Sequence, residues 1–226
     1  MRTALEQETT TIYLIRHSEK MRLPHDPSQN YDRIQPLTGF GEEKAKALLE
    51  VEEIRNADLA YCSAFARTIA TLRYLQEADG FQMILDDRLR ELDFGGKPRK
   101  EDGAMPFHPE PHNDLRIRLW EDHEFAYENG ESVQQCGARM DQVIQEIIRA
   151  HGGKKILVGT HGHSICAYLS SLVSGIDLAY ERKLAKPSIT RIRFCGSRAI
   201  EAERLPFYGE DGISHSLKRT NQLRNA

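Results

Sequence analysis

The stretch Thr11-Ile12-Tyr13-Leu14-Ile15 is a β-branched and aromatic run with no polar alternation, and Arg16-His17 follows it at once. A half-buried strand alternates apolar and polar side chains. A run that is apolar at every position suits a strand covered on both faces of a parallel sheet. Lys155–Thr160, centred on Ile156-Leu157-Val158, reads the same way, and Leu59–Cys62 and Gln82–Leu85 are shorter candidates. Helical patterns lie between them. One covers about Glu42–Arg55, with Thr38-Gly39 ahead of it and Ala45, Leu48 and Leu49 on one face. Another covers about Ala64–Ala78 with Ser63 as its N-cap. A third opens on a capping box of Ser132 and Gln135, carries Val133, Cys136, Met140, Val143, Ile144, Ile147 and Ile148 at helical spacing, and stops at Gly152-Gly153. A fourth spans about Ser164–Ser174.

Alternating strand and helix predicts an α/β fold, a three-layer α/β/α sandwich around a mostly parallel central sheet. Thr190, Ile192 and Phe194 alternate with Arg191 and Arg193, and Gly196-Ser197 suits a tight turn into Ala199–Leu205, so the last strands are expected as an antiparallel edge hairpin. Between about 95 and 130 the pattern breaks: Pro98, Pro106, Pro109 and Pro111 deny a regular element. Such a stretch reads as a cap insertion over the sheet, with a short helix near Asn113–Glu121. Residues 1–208 are expected as a single domain, and 209–226 as a polar, frayed C-terminal tail.

Composition narrows the function. The chain has 226 residues, 39% hydrophobic and 29% charged, which suits one globular domain. A net charge of −3 argues against duplex DNA or an anionic membrane as the main partner. The four cysteines, Cys62, Cys136, Cys166 and Cys195, form no Cys-x-x-Cys pair, so they read as buried thiols in a reducing compartment. Met1–Thr11 is polar, with Glu6 and Glu8 where a signal peptide needs an apolar run, and Ile156–Val173 holds two histidines and small polar residues. A cytoplasmic protein is expected.

In open α/β sheets ligands bind outside the carboxyl ends of the strands. The first strand delivers Arg16-His17 there, the second Ser63 with Arg67 one turn later, the third Arg90-Glu91, and the strand ending at Thr160 delivers His161-Gly162-His163. Each residue alone has an ordinary structural explanation. Together, cations gather at strand ends with no anion among them except Glu91, and helix N-termini add backbone donors. A dianionic phosphoryl group is the natural occupant, because arginine forks match its oxygens.

At these residues the chain resembles the histidine phosphatase (phosphoglycerate mutase-like) superfamily, branch 1 phosphatase type. Leu14-Ile15-Arg16-His17-Ser18-Glu19 and Leu37-Thr38-Gly39-Phe40-Gly41 resemble its opening, and Cys62-Ser63-Ala64-Phe65-Ala66-Arg67 is similar to its Ser-x-x-x-Arg helix start. Leu89-Arg90-Glu91-Leu92-Asp93-Phe94-Gly95 looks like the acid-bearing segment, and Gly130-Glu131-Ser132 and Val158-Gly159-Thr160-His161-Gly162 look like the later motifs. The resemblance runs over about residues 11–205. It implies that His17 is the nucleophile, passing through a phosphohistidine, with its other ring nitrogen donating to a carbonyl or carboxylate. It implies that Arg16, Arg67 and His161 hold the phosphoryl oxygens, and that Glu91, partly desolvated under the cap, is general acid and then base. Ser18, Gly162 and Arg22 join the phosphate-binding set. The substrate is a small phosphate ester, no metal or cofactor is called for, and the oligomeric state stays open, a homodimer included.

Ser18 stands where the family usually has glycine, and Leu23 where many relatives carry a polar contact. The Gly95-Gly96-Lys97-Pro98 stretch and the cap lack the arginine-rich signature of the mutases, which favours a phosphatase over a mutase. His163 is expected either to reach the substrate or to face solvent. Two rivals remain: a metal hydrolase built on the His161-Gly162-His163 pair, and a phospho-ligand binding module without turnover.

Overall fold

The computed structural model describes residues 9–21, 31–95, 113–208 and 212–215. Strand β1 (Thr9–Arg16) lies at the middle of a seven-stranded sheet with β2 (Leu59–Cys62), β3 (Gln82–Leu85), β4 (Lys155–Thr160), β5 (Ser188–Cys195), β6 (Arg198–Arg204) and β7 (Ile213–His215), in the order β3-β2-β4-β1-β5-β6-β7. The first four strands of that order run parallel, and the remaining neighbours pair antiparallel. The helices are α1 (Tyr31–Ile34), α2 (Gly39–Ala47), α3 (Ala66–Asp79), α4 (Asn113–Glu121), α5 (Val133–Ala150), α6 (Gly162–Leu172) and α7 (Leu178–Arg182).

Alternate side chains of β1 enter two different cores, which is what the uninterrupted apolar run requires. Ile12 and Leu14 join Val143, Ile144, Ile147, Ile165 and Leu169 from α5 and α6. Tyr13 and Ile15 join Leu72 and Leu75 of α3, with Leu48 and Ile54. Each such residue buried contributes about 1.5–3 kcal/mol, so the two cores fix both the sheet and the direction of its edge. Among the described residues no helix is long and apolar enough to cross a membrane.

The expected strands and the capping box of Ser132 and Gln135 appear at the expected places, and α4 occupies the helix expected within the cap. Residues 96–112 of that cap, and Arg22, lie outside the described residues. Three expectations change. The helix drawn over Glu42–Arg55 ends at Ala47 and continues as two 3₁₀ turns, because Val51 between them is extended (φ −90°, ψ 95°). Helix α3 starts at Ala66 behind Phe65, so Ser63 is not its cap. Ile213–His215, inside the expected frayed tail, pairs with β6 as the last strand.

Candidate active site

Strand register assembles the site. Arg16 stands opposite Thr160 across β1 and β4, and Cys62 opposite Gly159 across β2 and β4, so His17, His161 and Ser63 emerge side by side. Backbone bonds continue past the strands: His17 N–H donates to Thr160 O at 3.0 Å and Ser63 N–H to Gly159 O at 2.9 Å. Neighbouring strands lie about 4.8 Å apart, so the three side chains are within reach of one another whatever their separation in sequence.

His17 is buried, and its Nδ1 lies 2.7 Å from the Ser18 carbonyl oxygen. A carbonyl only accepts, so Nδ1 carries the proton and Nε2 keeps its lone pair. The expected carbonyl partner is therefore that of the next residue. Burial, then Arg67 and Arg16, hold the imidazole well below its ordinary pKa. The ring stays neutral near pH 7, with the lone pair on Nε2.

Ser18 fits where a glycine was expected by using both of its polar groups on the scaffold. Its N–H donates to Thr71 Oγ1 at 2.9 Å and its hydroxyl to the Gly41 carbonyl at 2.7 Å. Ser18 thus ties the His17 loop to α2 and α3, and its place in the phosphate-binding set gives way to that bracing role.

His161 is fully buried at the start of α6. Arg67 Nη2 sits 3.2 Å from its Nδ1, and guanidinium nitrogens only donate, so Nδ1 accepts and Nε2 bears the hydrogen. That Nε2 lies 2.9 Å from Ser63 Oγ and 3.4 Å from Thr68 Oγ1. Both ring nitrogens are thereby taken by the protein. His161 fixes Arg67, where the resemblance had it hold a phosphoryl oxygen itself. Arg67, 1% exposed, also lies over the Phe65 ring at 4.8 Å, far from the solvated helix position its sequence neighbours suggest. Burial, then Arg67 and His17, keep His161 neutral.

Arg16 corrects the expectation that no further anion stands among the cations. Its Nη2 donates to Glu181 Oε1 at 2.8 Å and its Nη1 to Leu184 O at 2.5 Å, and both side chains of the ion pair are buried. Gly162 makes this arrangement fit. A Cβ there would stand 2.6 Å from Arg16 Cζ and Nη2 and 2.7 Å from Glu181 Oε1. Gly162 thus gives passage to the Arg16–Glu181 pair. Burial opposes the charge on Glu181, but His163, Arg16 and Arg116 hold its carboxyl below the ordinary range.

Glu91 is half-buried. Its Oε1 accepts from Ser164 N–H (3.1 Å) and Leu92 N–H (3.0 Å) and lies 3.2 Å from Ser164 Oγ, which ties the carboxylate to the first turn of α6. The segment around it is anchored by Thr160 Oγ1 to Leu89 O, by Ser164 Oγ to Arg90 O, and by Arg139, which donates to the carbonyls of Arg88 and Arg90. Glu131 pairs with Arg139 and with Arg90, so Arg90 faces that clamp.

His163 does not face solvent, one of the two places expected for it. It is buried, takes the Trp120 Nε1–H on Nδ1 at 3.3 Å, and meets the Phe94 ring edge-on at 5.0 Å. Among the described residues no three His, Cys, Asp or Glu side chains gather as a metal ligand set. Burial raises the thiols of Cys62, Cys136 and Cys166 above their ordinary range.

Thr68, Glu181 and Ser164 contact the expected site residues and were missed by sequence reasoning. Ser63, which the sequence placed at the binding edge, lies against His161, whereas Glu181, in the short segment Leu178–Arg182, had no sequence signal.

The model of the histidine phosphatase superfamily (branch 1) matches residues 12–203. A probable phosphoglycerate mutase GpmB of Enterobacter sp. (strain 638) is 26% identical over 196 residues, covering 87% of this chain and 86% of that protein. The mycobacterial glucosyl-3-phosphoglycerate phosphatase superposes with a TM-score of 0.66 at 22% identity, over 88% of this chain and 98% of that one. A phosphoglycerate mutase from Bacillus anthracis str. Sterne gives 0.62 at 18% identity, over 88% and 93%. At those identities the two structures establish the shared fold.

Proposed function

The chain belongs to branch 1 of the histidine phosphatase superfamily, and from that premise we propose that it is a phosphomonoester hydrolase working through a phosphohistidine on His17. The observation that carries the proposal is His17 itself: a buried, neutral imidazole, its Nδ1 proton fixed by the Ser18 carbonyl, with arginines 16 and 67 beside it.

In the first step the Nε2 lone pair attacks phosphorus in line, forming the N–P bond as the ester P–O bond breaks. Glu91 gives its proton to the leaving oxygen, which departs as an alcohol. Arg67, steadied by His161 and Phe65, and Arg16 stabilise charge on the phosphoryl oxygens. In the second step Glu91, now ionised, takes a proton from water as it attacks phosphorus, and the N–P bond breaks to return neutral His17 and release phosphate. The reaction calls on no metal ion.

Transfer of the phosphoryl group back to the bound product, as in a mutase, is the second reading, and the similarity to a probable phosphoglycerate mutase over 87% of this chain favours it. Purified, chelator-treated protein incubated with p-nitrophenyl phosphate and with a panel of phosphate monoesters tests both. Released inorganic phosphate, lost in His17→Ala, supports hydrolysis. An isomerised ester without phosphate release supports the mutase, chelator sensitivity a metal hydrolase, and tight phosphate binding without turnover a binding module.

A further inference from the structure

The nucleophile's neighbour Arg16 is held by one edge of its guanidinium. The group has five N–H donors in one plane, two on each Nη and one on Nε. Its end edge is taken: Nη1 donates to Leu184 O and lies 3.5 Å from Glu181 O, and Nη2 donates to Glu181 Oε1. On the side edge, Nε is buried and has no hydrogen-bond partner among the described residues. A buried charged donor left unmet is unfavourable, and buried polar groups are almost always paired. The side edge of Nε and the second Nη2 hydrogen is the fork that matches two oxygens of a phosphoryl group.

Glu181 is in turn held in place. Asp177 Oδ1 caps α7 by accepting from Tyr180 N–H at 2.8 Å. On the other side His163 Nε2 lies 3.8 Å from Glu181 Oε2. Trp120 Nε1 can only donate, so it fixes His163 with its hydrogen on Nε2, facing the carboxylate. Trp120, His163, Glu181 and Arg16 thus form a buried chain from α4 to the residue before the nucleophile.

We propose that Glu181 is a positioning residue: by clamping the end edge of Arg16 through the gap left at Gly162, it turns the Nε–H edge toward the phosphoryl group. The inference rests on the reading that this site takes a phosphoryl group. It also makes a prediction of sign. A carboxylate that acted only by its charge would repel a dianion, so its removal would tighten phosphate binding. A carboxylate that positions Arg16 weakens binding when removed.

The test is calorimetric titration of inorganic phosphate into the full chain. Glu181→Ala is expected to weaken phosphate binding by about tenfold, while Glu181→Gln, which keeps an acceptor for Nη2, stays within about threefold of the parent. In an Arg16→Ala background, Glu181→Ala is expected to change binding by less than about twofold. Unchanged or tighter binding in Glu181→Ala, or an equal loss in the Arg16→Ala background, overturns the proposal. Should Glu181→Ala fail to fold, the parent protein answers by nitrogen-15 NMR. The Arg16 Nε–H signal, assigned by its loss in Arg16→Lys, is expected to shift on addition of phosphate, and a signal that stays put overturns the proposal. Phosphate binding with this pattern but no turnover refutes hydrolysis and leaves the role of Glu181 standing. Turnover with independent effects of the two substitutions does the reverse.

Discussion

The rings of His17 and His161 meet edge-on, their centroids 5.2 Å apart at an interplanar angle of 62°. A proton on either imidazole would add like charge beside two buried guanidinium groups. Burial is the largest cause of their lowered pKa values, and Arg67 adds to both. In the proposed mechanism the same neutrality leaves the His17 Nε2 lone pair to attack phosphorus.

That neutrality has a stability consequence. His17, His161 and His163 are all held below the ordinary value of 6.5 in the folded chain, whereas in the unfolded chain they take up protons as pH falls through 6.5. The unfolded state then binds more protons, so stability is fully present above pH 6.5 and is lost as pH falls toward the lowered folded values. Each group contributes up to about 1.4 kcal/mol per pH unit in that window. Urea midpoints measured from pH 8 to 5 are expected to decline below 6.5, and less steeply in His163→Gln. A flat profile would show that these rings protonate while folded.

Glu91→Gln keeps the shape of the acid but removes its proton. Hydrolysis of alkyl phosphates, whose leaving oxygens need protonation, is expected to fall by about 10²–10⁴. Hydrolysis of p-nitrophenyl phosphate should fall far less, since its leaving group departs unprotonated. Steady-state kinetics on both substrates checks this, and an equal loss on each removes Glu91 from the acid role.

Arg67→Ala removes a buried donor that His161 and Phe65 hold in place. It is expected to raise KM and to lower kcat/KM by about 10²–10³, the usual effect of losing one charge-stabilising donor. Kinetics paired with circular dichroism separates this from unfolding. A folded variant with parental kinetics would show that Arg67 does not touch the substrate.

Gly162→Ala places a methyl group against Arg16 and Glu181. Both are long side chains, but both are tied down, so the pair has to move. Overpacking of this kind costs about 1–3 kcal/mol of stability. Phosphate affinity should fall along with the melting temperature, and a variant that melts early but binds phosphate normally would separate Gly162 from the site.

Much of the site was legible because its residues sit at strand ends. Doubly buried strands such as Thr11–Ile15 and Ile156–Val158 carry their signature within a few residues, and the residue after each strand is placed by the sheet. His17, His161 and Arg67, one turn beyond its strand, followed from that logic. The partners of those residues did not. Glu181 lies 165 positions from Arg16 in a short helix whose sequence looks exposed, and its burial depends on a gap at Gly162 that only packing reveals. Ser63 was misread because a serine between a strand and a helix suits an N-cap equally well. Strand β7, three residues long, owes its place to pairing with β6.

The covalent step is the most direct test. The parent protein, mixed rapidly with a phosphate monoester and quenched in alkali, is expected to gain one phosphoryl group, stable to base, labile to acid and mapping to His17 by mass spectrometry. His17→Ala is expected to gain none and to release no phosphate. Phosphate release by His17→Ala at the parental rate, or a phosphoryl group found on another residue, would contradict the account.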